Sequence, residues 1–177
     1  MGNPVTRTGG QLLMDSLVGL GATRGFGVPG ESYLAVLDAM VDHANAFDLV
    51  LCRQEGGAAY MAAAWGKLTG EPGLCFVTRG PGATNAAIAG HSAEQGSFPL
   101  VMLMGQVSTS KIGKRATQEI NYNKTFSDIA KSVEEVDKPD RVGEVVARAI
   151  RIAESGTPGP VVVALPTDVL AATSDAA

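Results

Sequence analysis

Four short runs are apolar at nearly every successive position: Leu49-Val50-Leu51, Gly73 to Thr78, Leu100-Val101-Met102-Leu103 and Pro160 to Leu165. A strand with one wet face alternates apolar and polar residues; a strand covered by helices on both faces does not. Between the runs lie segments with apolar residues at helical spacing. The alternation predicts an α/β fold, doubly wound, with a mostly parallel central sheet of five or six strands and helices on both faces, a three-layer sandwich of flavodoxin type. At 177 residues the chain can bury one core without disulfide or metal staples.

Along the chain, Leu12, Leu13, Ser16, Leu17 and Leu20 mark a first helix from an N-cap at Thr8 to a stop at Gly21. A strand from Gly25 to Val28 breaks at Pro29-Gly30, and Tyr33, Leu34, Val36, Leu37, Met40 and Val41 carry the next helix. The pattern repeats as strand Asp48 to Cys52, helix Glu55 to Leu68, strand Gly73 to Thr78, a helix opened by Gly80-Pro81-Gly82 and running toward Gln95, and strand Pro99 to Met104. Residues 105–127 lack periodicity and read as a long functional loop. A helix from Pro139 to Glu154 and a last strand from Pro160 to Leu165 follow, and the tail after Thr167 reads as a linker. The expected division is one domain over residues 1–170, with 171–177 the start of an interdomain linker or a disordered tail.

Charge and composition narrow the function. Fourteen basic against 18 acidic residues give a net charge of −4, with no basic cluster longer than Lys114-Arg115, so no nucleic-acid partner is expected. No stretch approaches the roughly 20 apolar residues that span a bilayer, and the polar start Met1-Gly2-Asn3-Pro4 has no signal core, so neither a membrane nor secretion is expected. Met1-Gly2 followed by Thr6 meets only the loose myristoylation pattern. Cys52 and Cys75 lie in apolar runs and read as buried thiols of a reducing, cytoplasmic compartment. His43 and His91 lack ligand spacing, so no metal site is expected, and Ser92, Ser97 and Ser108 lack the surroundings of a hydrolytic nucleophile.

Three constellations remain. Gly25-Phe26-Gly27-Val28-Pro29-Gly30 is a literal G-x-G-x-x-G, yet two glycines fall inside the strand and Pro29 removes an amide donor, so tight packing suits it better than a dinucleotide site. In Arg53-Gln54-Glu55-Gly56-Gly57-Ala58-Ala59 a lone carboxylate stands where a strand gives way to a helix, the edge at which open sheets bind ligands. Complementing the helix dipole would explain it equally. The helix behind it, Ala58 to Trp65, is apolar on nearly every side, which points to contact with another protein surface. Thr78-Arg79-Gly80-Pro81-Gly82-Ala83-Thr84-Asn85 repeats the arrangement; its exposed amides could hold an anion or a polar heterocycle, or simply form a glycine-rich cap.

Taken in order, Gly27-Val28-Pro29-Gly30, Glu55-Gly56-Gly57-Ala58-Ala59, Gly80 to Asn85, Pro99-Leu100 to Gly105-Gln106, Gln118-Glu119 and Gly159-Pro160-Val161 to Pro166 resemble the N-terminal, pyrimidine-binding domain of thiamine-diphosphate-dependent enzymes, closest to the acetolactate synthase group. The resemblance implies that Glu55 hydrogen-bonds the pyrimidine ring nitrogen of thiamine diphosphate and promotes the imino tautomer that deprotonates the thiazolium C2. Removal from water would favour the protonated carboxyl that can donate to that nitrogen. It also implies cofactor contacts from Pro29, Gly30, Thr78, Gly82 and Asn85, a catalytic position for Gln118 near the reacting carbon, and a substrate-side position for Glu119. Thr117 stands where acetolactate synthases commonly carry phenylalanine, which leaves other 2-keto-acid decarboxylases, lyases or acyltransferases open. The family holds the diphosphate and Mg2+ on a C-terminal domain that these residues do not contain. The expected partners are therefore further copies of the chain, as a dimer or tetramer, or a separate diphosphate-binding chain, with a small 2-keto acid as substrate. A non-catalytic interaction module that keeps the fold is the alternative.

Overall fold

The computed structural model describes residues 6–176. Met1-Gly2 of the acylation pattern and the last residue of the tail lie outside the described residues.

Fifteen regular elements follow the alternation read from the sequence. They are β1 (Arg7–Thr8), α1 (Gly9–Gly19), β2 (Arg24–Gly27), α2 (Leu34–Asp42), β3 (Asp48–Leu51), α3 (Glu55–Thr69), β4 (Gly73–Val77) and α4 (Pro81–Gly96). There follow β5 (Leu100–Gln106), α5 (Tyr122–Phe126), β6 (Ser132–Glu135), α6 (Val142–Glu154), β7 (Pro160–Pro166), α7 (Thr167–Ala171) and β8 (Thr173–Ser174). Six strands form one wholly parallel sheet in the order β3-β2-β4-β5-β7-β6. The tiny antiparallel pair of β1 and β8 stands apart.

Each face of the sheet has its own core. Large aliphatic side chains of α1, α2 and α6, such as Leu13, Leu17, Val36 and Val146, cover one face against Leu74, Phe76, Leu103 and Val163. The other face is packed by alanines of α3 and α4, including Ala58, Ala62, Ala86 and Ala89, against Cys75, Val77, Met102 and Met104. Small residues let backbones come close. A Cβ placed on Gly73 would lie 1.8 Å from the Ala62 carbonyl oxygen, and one on Gly66 would lie 2.1 Å from that of Pro99. The start of α1 is fixed by a reciprocal capping box between Thr8 and Gln11.

Several expectations need correction. Residues 105–127 are not an unstructured loop: β5 runs through Gln106, a single 3₁₀ turn covers Thr109–Lys111, and α5 occupies Tyr122–Phe126. Tyr122 and Phe126 are buried and stack on each other, which gives this one-turn helix its anchor. Strand β6 was hidden in the sequence because it is an edge strand with one neighbour, and three of the four residues of its Ser-Val-Glu-Glu are polar. The chain after Thr167 continues as α7, held by buried Val169 and Leu170, rather than leaving as a linker. Leu20, Leu34 and Val41 belong to the helical repeats but lie exposed. Cys75 is buried, whereas Cys52 is only half-buried. No helix among the described residues is long and apolar enough to cross a membrane.

Candidate cofactor site at the sheet switch point

The chain passes from β2 outward to β3 and then back across β2 to β4, so its winding reverses between β2 and β4. Ligands in open α/β sheets bind outside the carboxyl ends of the strands at such a reversal. The turns that leave β2, β3 and β4 there carry Pro29-Gly30, Glu55 and Thr78 to Asn85.

Glu55 opens α3, but Gln54 already caps that helix by accepting the Gly57 N–H at 2.9 Å. The carboxylate is therefore free of the capping role. Instead, Asn85 Nδ2, one turn into α4, donates to Glu55 Oε2 at 2.9 Å. Glu55 Oε1 faces Gly82: a Cβ there would sit 3.4 Å from that oxygen and 2.7 Å from Thr78 Cγ2. Thr78 also borders the β2 turn, since a Cβ on Gly30 would approach Thr78 Cβ to 2.6 Å. Gly30, Thr78, Gly82, Glu55 and Asn85 thus form one connected series of contacts, with Pro29 exposed beside Gly30. The two glycines keep this ground free of side chains, and the carboxylate and amide provide polar edges. Such a floor fits a flat heterocycle with ring nitrogens.

Two residues without a local signal in the sequence, Tyr33 and Ser32, hold the β2 and β4 turns, and Gln106 holds the segment after β5. The buried Tyr33 hydroxyl donates to the Val28 carbonyl at 2.5 Å and fixes the turn into Pro29; burial pushes its pKa well above the usual phenol value. Ser32, also buried, meets Thr78 Oγ1 at 2.8 Å and accepts the Arg79 N–H at 3.2 Å, which joins the β2 and β4 turns. Gln106 is buried at the end of β5, donates to the Ile120 carbonyl at 2.9 Å and accepts the Val107 N–H at 2.9 Å. A polar residue closing an apolar strand was the visible signal for Gln106; Ser32 gave none.

Gln118 and Glu119 sit on the segment after β5. Gly80 has φ +56°, and a Cβ on it would fall 2.5 Å from the Gln118 carbonyl oxygen, so a glycine at this spot lets the segment rest on the start of α4. Gln118 itself has φ +65°, a left-handed backbone that costs a side-chain-bearing residue on the order of 1 kcal/mol and often marks functional sites. Its side chain is exposed beside the Thr78–Asn85 turn. Glu119 turns away into its own loop, where its carboxylate accepts the Gly113 N–H at 2.5 Å and the Ala116 N–H at 2.9 Å. The Gly113 bond, followed by that of Ala116, holds its pKa below the usual carboxylate value. The G-x-G-x-x-G glycines serve packing: a Cβ on Gly25 would strike Phe76 and Phe47, and one on Gly27 the Phe76 carbonyl. His43 pairs with Asp15 at 2.9 Å, and no group of three or more His, Cys, Asp or Glu among the described residues is arranged to hold a metal ion.

Comparison with known proteins identifies the family of the chain. The family model for the thiamine pyrophosphate enzyme N-terminal TPP binding domain matches residues 7–125. The chain is 40% identical over 163 residues to the acetolactate synthase isozyme 3 large subunit of Escherichia coli (strain K12), covering 92% of this chain and 28% of that protein. It is 39% identical over 166 residues to acetolactate synthase of Bacillus subtilis (strain 168), covering 94% and 29%. Against the mitochondrial acetolactate synthase catalytic subunit of Saccharomyces cerevisiae it is 41% identical over 171 residues, covering 93% and 24%. The chain thus spans less than a third of the length of these relatives. With a family model matched across most of the fold, and with the switch-point turns in place, the chain belongs to the thiamine pyrophosphate enzymes as an N-terminal TPP binding domain of acetolactate synthase-like type.

Proposed function

We propose that this domain receives the aminopyrimidine end of thiamine diphosphate, with Glu55 as the proton partner of a ring nitrogen, in a 2-keto-acid decarboxylase or carboligase resembling acetolactate synthase. The observation that carries this is the Glu55–Asn85 pair standing over the bare floor of Gly30 and Gly82. When bound, thiamine diphosphate supplies the carbon nucleophile that attacks a keto carbonyl. Asn85 holds Oε2, so Oε1 is the oxygen that meets the ring and exchanges a proton with it. Thr78, Gly82 and Gly30 shape the slot, and Gln118 lies on the segment that borders it. The diphosphate and its Mg2+ fall to protein outside these residues. The chain covers only 24–29% of the relatives above, which leaves room for such a part.

Titration of the isotope-labelled chain with thiamine tests this directly. Amide signals of Glu55, Gly82 and Asn85 should move saturably, and Asn85→Ala should weaken binding up to about tenfold, because Glu55 loses the partner that holds Oε2 in place. Unmoved signals at millimolar thiamine, or movement only elsewhere, would refute the assignment.

We also propose that a second copy of the chain or a diphosphate-binding chain covers the outer surface of α3 and α4. Tyr60 and Met61 of α3 and Ile88 of α4 are exposed there, Ile88 by 57%, and Leu51 at the end of β3, just before α3, is exposed by 67%. Clustered large apolar residues in water mark interaction surfaces. Sedimentation equilibrium should show a dimer or larger species that Met61→Asp and Ile88→Asp return to monomer. A wild-type monomer at high concentration, indifferent to added diphosphate-binding chain, would count against the surface.

A further inference from the structure

Next to the Glu55 site, and separated from it by the Thr78–Gly80 turn, lies a cleft of about 450 Å³ whose lining includes Glu31, Leu34, Arg79, Ser108, Lys111 and Thr117. Arg79 and Lys111 are its two cations. The Arg79 side chain is only 16% exposed, and the guanidinium is committed by one bond, from Nη2 to Glu31 Oε1. Arg79 Nε is buried and has no hydrogen-bond partner.

An arginine presents Nε–H and the outer Nη2–H along one edge, a fork that matches both oxygens of a carboxylate. Here Glu31 occupies half of that fork and leaves the other half unsatisfied. Buried polar hydrogens without partners are uncommon and call for an acceptor. Glu31 is a weak holder of its half, because its side chain is 72% exposed and such a pair is screened by water. Leu34, 61% exposed, supplies an apolar wall, and the hydroxyls of Ser108 and Thr117 supply neutral polar contacts. Lys111, with Lys114 and Arg115 further along the same segment, adds positive potential. The only acid in that segment, Glu119, is already bonded to its own backbone.

We propose that this cleft binds the carboxylate of a small keto-acid substrate, with Arg79 Nε and Nη2 gripping both of its oxygens and Glu31 as an internal competitor that swings aside. The identity of the ligand as a keto acid rests on the function proposed above; the carboxylate site itself does not. Arg79 then acts on specificity: its fork admits a carboxylate to the cleft beside the Glu55 site.

The test uses the isotope-labelled 177-residue chain and follows the Arg79 Nε–Hε signal with the amides of Ser108, Lys111 and Thr117. Pyruvate and 2-ketoglutarate should shift these signals saturably, while sodium chloride at equal ionic strength should not. Glu31→Gln frees the fork and should tighten binding about two- to fivefold, the size of an exposed ion pair. Arg79→Lys keeps the charge but loses the fork and should weaken binding about tenfold or more. Shifts produced equally by chloride, inorganic phosphate binding tighter than either keto acid, or unchanged or weaker binding in Glu31→Gln would each overturn the proposal. If Arg79→Lys loses its dispersed spectrum, the Glu31→Gln result decides alone. Thiamine-induced shifts at Glu55, Gly82 and Asn85 report separately, so a failed carboxylate site and a failed cofactor site give different spectra.

Discussion

Glu55→Gln is expected to slow hydrogen exchange at the thiazolium C2 of bound thiamine diphosphate by about 10²- to 10⁴-fold in the complete enzyme, the usual worth of a positioned acid–base group. Glutamine has the shape of glutamate, and its amide oxygen can still accept the Asn85 Nδ2 bond that Oε2 accepts in the wild type. Gln54 continues to cap α3. The variant should therefore keep its fold, with stability within about 0.5 kcal/mol of wild type, as surface substitutions usually do. What it loses is the one oxygen able to trade a proton with the ring. Glu55→Asp retracts the carboxyl by one methylene and should fall between the two, because a misplacement of about 1 Å can cost on the order of 100-fold. Exchange at the wild-type rate in Glu55→Gln, with cofactor bound, would remove Glu55 from the chemistry.

The second large effect is on stability. Gly73→Ala should destabilise the chain by about 3 kcal/mol, the upper range for overpacking, and lower the melting temperature by about 6–12 °C for a domain of this size. Its new methyl would meet the Ala62 carbonyl at 1.8 Å, with Ala62 C at 2.5 Å. Both are backbone atoms, so no rotamer change relieves the contact, and α3 must shift as a body. Gly66 on the same helix rests against Pro99 in the same manner, so the shift disturbs a second backbone contact. Because Glu55 is the first residue of α3, thiamine affinity should fall along with stability. Gly19→Ala serves as the control: it ends α1 with nothing within 4 Å of the new methyl, and should be neutral or slightly stabilising. A Gly73→Ala melting point within 2 °C of wild type, by roughly the same scaling, would refute the close-approach argument.

The parallel core was legible because strands buried on both faces must be apolar at consecutive positions, as in Leu100 to Leu103 and Val161 to Val163. The turns carrying Glu55, Gly82 and Asn85 were legible because glycine clusters and a lone acid stood where strand patterns gave way to helical ones. Strand β6 was not, since an edge strand paired only with β7 tolerates Glu134 and Glu135 on its surface. The supports of the site were hidden for another reason. Ser32 meets Thr78 across 46 residues, and the Tyr33 hydroxyl finds the Val28 carbonyl only once the turn has closed. In the sequence, Tyr33 counted simply as one more apolar residue of a helical repeat, and nothing local records where its oxygen points.

The two cores differ in how they answer change. Leucine, valine and methionine on the α1, α2 and α6 side have rotamers to exchange, so a substitution there can be absorbed near where it falls. Alanine and glycine between the sheet and the α3–α4 pair have none, and a substitution there becomes a displacement of a whole helix. Glu55 opens α3, and Asn85 stands one turn into α4. The molecule therefore has one compliant flank and one stiff flank, and Glu55 and Asn85 are mounted on the stiff one. Sequence drift should accumulate on the compliant side while the distance between carboxylate and amide stays constant.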